Sequence, residues 1–91
     1  MILLVTYERK KPGRDNTTLF TLLKTAPSWW HHMESVWILY TNENADTWND
    51  KIRNVVDQGD YVLIVDITKR SRQGLLPKDA WDWIRKFEAM Q

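Results

Sequence analysis

The chain has 91 residues, with 13 Lys and Arg against 12 Asp and Glu, a net charge of +1, six tryptophans and no cysteine. That length holds one domain, expected to span 1–91, and so small a charge excludes a general electrostatic grip on nucleic acid, leaving only local clusters. Disulfide frameworks, thiolate zinc sites and cysteine nucleophiles are excluded, and the longest apolar run, Ile2-Leu3-Leu4-Val5, is too short for a membrane span or signal-peptide core, so the expectation is a cytoplasmic protein.

Ile2 to Tyr7 is β-rich and apolar on both parities, which predicts a central strand covered on at least one face. Pro12-Gly13, inside a basic stretch from Arg9 to Arg14, marks a turn. Asp15 or Asn16 offers an N-cap, and Leu19, Leu22, Leu23 and Ala26 form one helical stripe stopped by Pro27. Trp29 to Tyr40 is aromatic and β-branched. It predicts a hairpin of Trp29–His32 with Val36–Thr41, or one long bent strand, because the turn at Met33-Glu34-Ser35 lacks glycine. Trp48, Ile52, Val55 and Val56 mark a second helix starting near Asn44, with Gly59 as its C-terminal cap.

Tyr61 to Thr68 predicts the last strand, and Lys69 to Gly74 a polar, basic loop. Pro77 then stands at a first helical position, and Ala80, Trp83, Ile84 and Phe87 mark the face of a third helix. The expected order is β-α-β-β-α-β-α. This points to the α+β class and to a ferredoxin-like β-α-β-β-α-β antiparallel sheet with an additional C-terminal helix.

Several constellations invite a chemical reading. His31 and His32 are adjacent in a strand, so they point to opposite faces and cannot share one metal ion. Trp48 and Trp83 fall on apolar helix faces and Trp81 flanks one, which leaves Trp29, Trp30 and Trp37 as candidates for an interface. Stacking aromatics beside basic residues also suit single-stranded nucleic acid, and the candidate phosphate contacts are Arg9, Lys10, Lys11 and Arg14 in one cluster and Lys69, Arg70 and Arg72 in another. The first and last strands are expected to be antiparallel neighbours, which sets these clusters at opposite ends of the sheet. A symmetric dimer is the arrangement that brings them together. Ordinary solvated loops are the plainer alternative. No nucleophile–base pair, glycine-rich phosphate loop or metal motif is present, so no cofactor is expected.

Certain segments resemble a known group. Leu4-Val5-Thr6-Tyr7-Glu8, Lys11-Pro12-Gly13, Ser28-Trp29-Trp30-His31, Ser35-Val36-Trp37-Ile38 and the run from Leu76 to Ile84 are similar to the small bacterial SinR-like proteins, which are distinct from the helix-turn-helix repressor of that name. That group resembles a wider ferredoxin-fold family that includes the CRISPR-associated adaptation subunit, often described as an endoribonuclease, and the VapD toxins. The resemblance implies a homodimer. In the wider family an aspartate ends the first strand, and two such residues in a dimer can hold a divalent cation. Here the matching residue is Glu8, one methylene longer, which argues against efficient catalysis.

The expected function is therefore a homodimeric binding or interaction module, with nucleic acid as a candidate partner and no membrane. The alternatives are an endoribonuclease or endodeoxyribonuclease using Glu8 with Mg2+, and a structural subunit of a larger complex.

Overall fold

A computed structural model of the chain describes residues 1–10 and 15–90. The elements run β1 (Ile2–Glu8), α1 (Thr17–Leu23), β2 (Ser28–Met33), β3 (Val36–Tyr40), α2 (Ala45–Arg53), β4 (Tyr61–Asp66) and α3 (Lys78–Glu88). The four strands form one antiparallel sheet in the order β2-β3-β1-β4. With three helices packed on it, the fold belongs to the α+β class.

Because side chains alternate along a strand, β1 feeds two cores. Leu3, Val5 and Tyr7 point to the face covered by α1 and α2, where they pack with Leu19, Leu23, Trp37, Trp48 and Ile52. Ile2 points to the other face, where Trp30 and Ile38 meet Ala80 and Ile84 of α3. A strand that is apolar on both parities is thus explained by helices on both faces.

Local chemistry sets the helix ends. The Asn44 side chain accepts the Thr47 N–H at 2.9 Å and caps α2. At α1 the Asn16 side chain makes no cap bond. Its Oδ1 accepts from Arg9 Nη1 instead, at 2.8 Å, while Asp15 accepts both the N–H and the hydroxyl of Thr17. Pro77 is the N-cap of α3 rather than its first helical residue.

Gly59 does not cap α2, which ends at Arg53 with Asn54 as its C-cap. With φ at +93°, Gly59 serves the turn into β4. A Cβ there would meet Lys10 Cδ at 3.1 Å, so both the backbone angle and the close approach call for glycine. The hairpin between β2 and β3 closes without glycine because its register shifts between Trp30 and Met33, and this irregularity absorbs the turn.

Buried polar atoms on the indoles are mostly matched. Trp37 Nε1 donates to the Tyr7 hydroxyl at 3.2 Å, and that hydroxyl donates to the Glu34 carbonyl. Trp48 Nε1 donates to Thr41 Oγ1 at 3.0 Å, and Trp83 Nε1 to Ser28 Oγ at 3.0 Å. Burial pushes the Tyr7 phenol up from its ordinary value.

Candidate interaction face

Helix α3 covers only one end of its sheet face. At the other end the register carries a row across all four strands, from Met33 through Val36 and Thr6 to Leu63, with Glu8 beside Tyr61 in the next row. The Leu63 and Tyr61 ends of these rows lie open, whereas Met33 borders a hollow shared with Leu75, Trp81 and Ile84. Tyr61 is 70% exposed, Leu63 60%, Met33 48% and Val65 40%, and Leu75 in the loop before α3 is fully exposed. Tyr61, Leu63 and Val65 concentrate this exposed apolar surface at the β4 margin, while Met33 lies at the β2 margin three strands away.

Two adjoining hollows lie at this end. One of about 450 Å3 is lined by Thr6, Tyr7, Glu8, Tyr61, Val62 and Leu63. The other, of about 240 Å3, is bounded by Glu8, Arg9, Lys10, Gly59 and Tyr61.

The basic residues divide into engaged and free. Arg9 donates from Nε to Asp60 Oδ2 at 2.8 Å and from Nη1 to Asn16, with Asp57 at 3.7 Å, and its side chain is only 8% exposed. Its guanidinium braces the end of β1 against the turn before β4, so it has little left for a phosphate. Arg72 is likewise paired with Glu88 and half-buried.

Burial pushes the Glu88 carboxyl up, but hydrogen bonds from Arg72 and the Lys69 N–H outweigh it and hold the group below its ordinary value. The Lys10 N–H donates to Asp60 Oδ1 at 2.6 Å, which is the foremost reason that carboxyl lies low. The Lys10 side chain itself is exposed, as are those of Lys69 and Arg70. Lys11 and Arg14 lie outside the described residues. Lys10 stands at the start of β4 and Lys69 and Arg70 beyond its end, roughly 20 Å apart, so one copy does not merge the clusters.

The tryptophans correct the expectation of a surface formed by all three. Trp37 is fully buried and Trp30 is 6% exposed, because the two-sided cover of the sheet takes one into each core. Trp29 keeps 38% exposure, but it lies on the α1 side, tilted against Trp37 and under Lys24 Nζ at 5.4 Å. The two histidines part as expected: His31 stacks on Trp37 at 4.1 Å, and His32 tilts against Trp30 at 5.0 Å. The sequence marks Tyr61 and Leu63 only as strand residues. A full β-strand at one margin of the sheet with apolar residues on both parities was the signal available for them.

Glu8 is exposed at the mouth of both hollows. Among the described residues no three His, Asp or Glu side chains converge to hold a metal ion. A single carboxylate per copy is a poor fit for Mg2+, which asks for six oxygens in a tight octahedron. Asp66 is occupied elsewhere: the Thr68 hydroxyl and N–H bond its carboxylate and lower it.

The chain matches no family model, no curated protein and no solved structure. No described helix is long and apolar enough to cross a membrane.

Proposed function

We propose that the chain is a ferredoxin-like, homodimeric binding module whose working surface is the bare half of the sheet face, with nucleic acid as its candidate ligand. The observation that carries this reading is the partial cover by α3, which leaves Tyr61, Leu63 and Val65 exposed along β4 at one margin of the sheet. Exposed apolar side chains lined along one strand and rimmed by Glu8 and Lys10 are what an interface looks like before its partner arrives. The ferredoxin-like assignment is supported by the element order with α3 appended and by the sheet order β2-β3-β1-β4. The resemblance of the Tyr7-Glu8 and Leu76–Ile84 segments to the SinR-like group supports it too.

Exposed Tyr61 offers a ring on which a base can stack, and Lys10, Lys69 and Arg70 offer charge for a phosphate backbone. The test is a binding screen of the full chain against single- and double-stranded RNA and DNA, at low and at physiological salt. Binding that weakens steeply with salt supports the reading. No binding to any of the four at low salt removes nucleic acid from it.

A second reading, a Mg2+-dependent endonuclease, is favoured by the exposure of Glu8 beside the larger hollow. Its chemistry needs a second carboxylate from another copy to complete the cation's ligands.

A further inference from the structure

We infer that two copies of the chain join edge to edge along β4, antiparallel, about a two-fold axis at Leu63. This rests on the homodimer reading above and names its interface. The Ile67 N–H donates to the Ile2 carbonyl at 2.9 Å. In an antiparallel ladder bonded pairs alternate, so with Leu3 opposite Asp66 the bonded pairs are Leu4 with Val65, Thr6 with Leu63, and Glu8 with Tyr61. Val62, Ile64 and Asp66 therefore turn their N–H and C=O groups to the open side, where no described strand meets them. Such groups are a template for another strand.

The two margins of the sheet are not alike. At β2 the register shift between Trp30 and Met33 breaks the line of free groups. At β4 the run Tyr61–Asp66 is regular, with no proline, lysine or bulge to repel a neighbour. One inviting edge per copy gives a pair rather than a fibre.

A two-fold axis normal to the sheet keeps each face on its own side, so paired residues must share parity. With Leu63 on the axis it faces its own copy, and Tyr61 faces Val65 of the second chain. These are the β4 residues left exposed in the monomer, and aromatic with β-branched is a favourable cross-strand pair. On the other face, half-buried Val62 meets Ile64 and carries the α1/α2 core across the axis.

Charge follows the same symmetry. Asp46 and Asn49 of α2 flank a hollow of about 180 Å3 beside Val62 and Ile64, and Arg53 lies on the same helical stripe. The axis sets the two α2 helices antiparallel, so Asp46 of one faces the Arg53 end of the other. The one like-charge meeting is Asp60 with Asp66, and each of these carboxylates is already bonded within its own chain, to Arg9 and to Thr68.

Two consequences bear on function. Lys69 and Arg70 of one copy come beside Lys10 of the other, which merges the exposed basic groups at both ends of the interface. The two Glu8 carboxylates fall roughly 19 Å apart, three strand spacings across and four residues along. They cannot hold one cation.

The absence of native cysteine makes the test clean. Leu63→Cys places one thiol at the axis, where opposed Cα atoms sit ~4.5 Å apart, within the ~4.4–6.8 Å of a disulfide. Tyr61→Cys stands about four residues, ~13 Å, from its copy. Mild oxidation of the full chain is expected to link most of the Leu63→Cys protein and little of the Tyr61→Cys protein. Leu63→Lys, which sets two ammonium groups face to face, is expected to weaken the dimer about 100-fold or more. Leu63 is exposed in the monomer, and far-ultraviolet circular dichroism checks that each variant folds. If the parent chain is a dimer while Leu63→Cys links no better than Tyr61→Cys and Leu63→Lys still dimerises, edge pairing is overturned and the homodimer stands. A parent chain that is monomeric overturns both.

Discussion

Replacing Asp60 with alanine is expected to loosen the end of the sheet where β1 stops and β4 begins. One carboxylate there does three things: it accepts Arg9 Nε at 2.8 Å, the Lys10 N–H at 2.6 Å and the Asp57 N–H at 2.8 Å. The two side chains are 8% and 1% exposed, so the pair is screened from water. Breaking a buried pair by removing one partner costs about 3–5 kcal/mol, because the other charge is left uncompensated. Arg9 would keep Asn16 at 2.8 Å and Asp57 at 3.7 Å, which sets the expected loss at the low end, about 3 kcal/mol.

For a chain of this size that loss lowers the melting temperature by about 12–20 °C, measured at a fixed protein concentration. The sign of the pH dependence follows from the same contacts. The Lys10 N–H, the Asp57 N–H and Arg9 hold the carboxyl below its ordinary value against the push of burial. Its stabilisation is thus fully present above the unfolded pKa, near ~3.9, and is lost as pH falls through the lower folded value. The stability gap between parent and Asp60→Asn should close under acid. A loss below about 1 kcal/mol, the scale of an exposed ion pair, together with a pH-independent gap, would mean that Asp60 acts as an ordinary surface carboxylate.

Other outcomes follow from the same geometry. Substituting Lys10, Lys69 and Arg70 together with alanine should weaken nucleic-acid binding whatever the base sequence, and should flatten the plot of log K against log salt by about 0.7–0.9 per lost contact. Unchanged binding would leave these residues as ordinary solvated side chains. Cleavage of RNA or DNA with Mg2+ or Mn2+ should not exceed a trace, and Glu8→Ala should leave assembly intact. Robust metal-dependent cleavage that vanishes in Glu8→Ala would establish the endonuclease reading instead.

Periodicity carried the helices and strands well, because the signal is local. The Leu19 and Leu23 stripe and the Trp48 and Ile52 stripe are buried where their spacing put them. What spacing could not reveal was the destination of α3. Ala80 and Ile84 mark an apolar stripe, but nothing in it says that it covers just one end of the second sheet face. That single fact buries Trp30, which read as a surface residue, and exposes Leu63, which read as an ordinary strand residue. Arg9 shows the same limit. Beside Lys10 it reads as part of a basic patch, yet its partner Asp60 lies 51 positions along the chain. Only the antiparallel pairing of β1 with β4 brings the two together.

Assembly of the parent chain is read by sedimentation velocity at micromolar concentration. The exposed Tyr61, Leu63 and Val65 and the open β4 edge predict a single species at twice the chain's 10.9 kDa. A single species at the monomer mass across that range would contradict the homodimer, and with it the joined basic clusters on which the proposed binding depends.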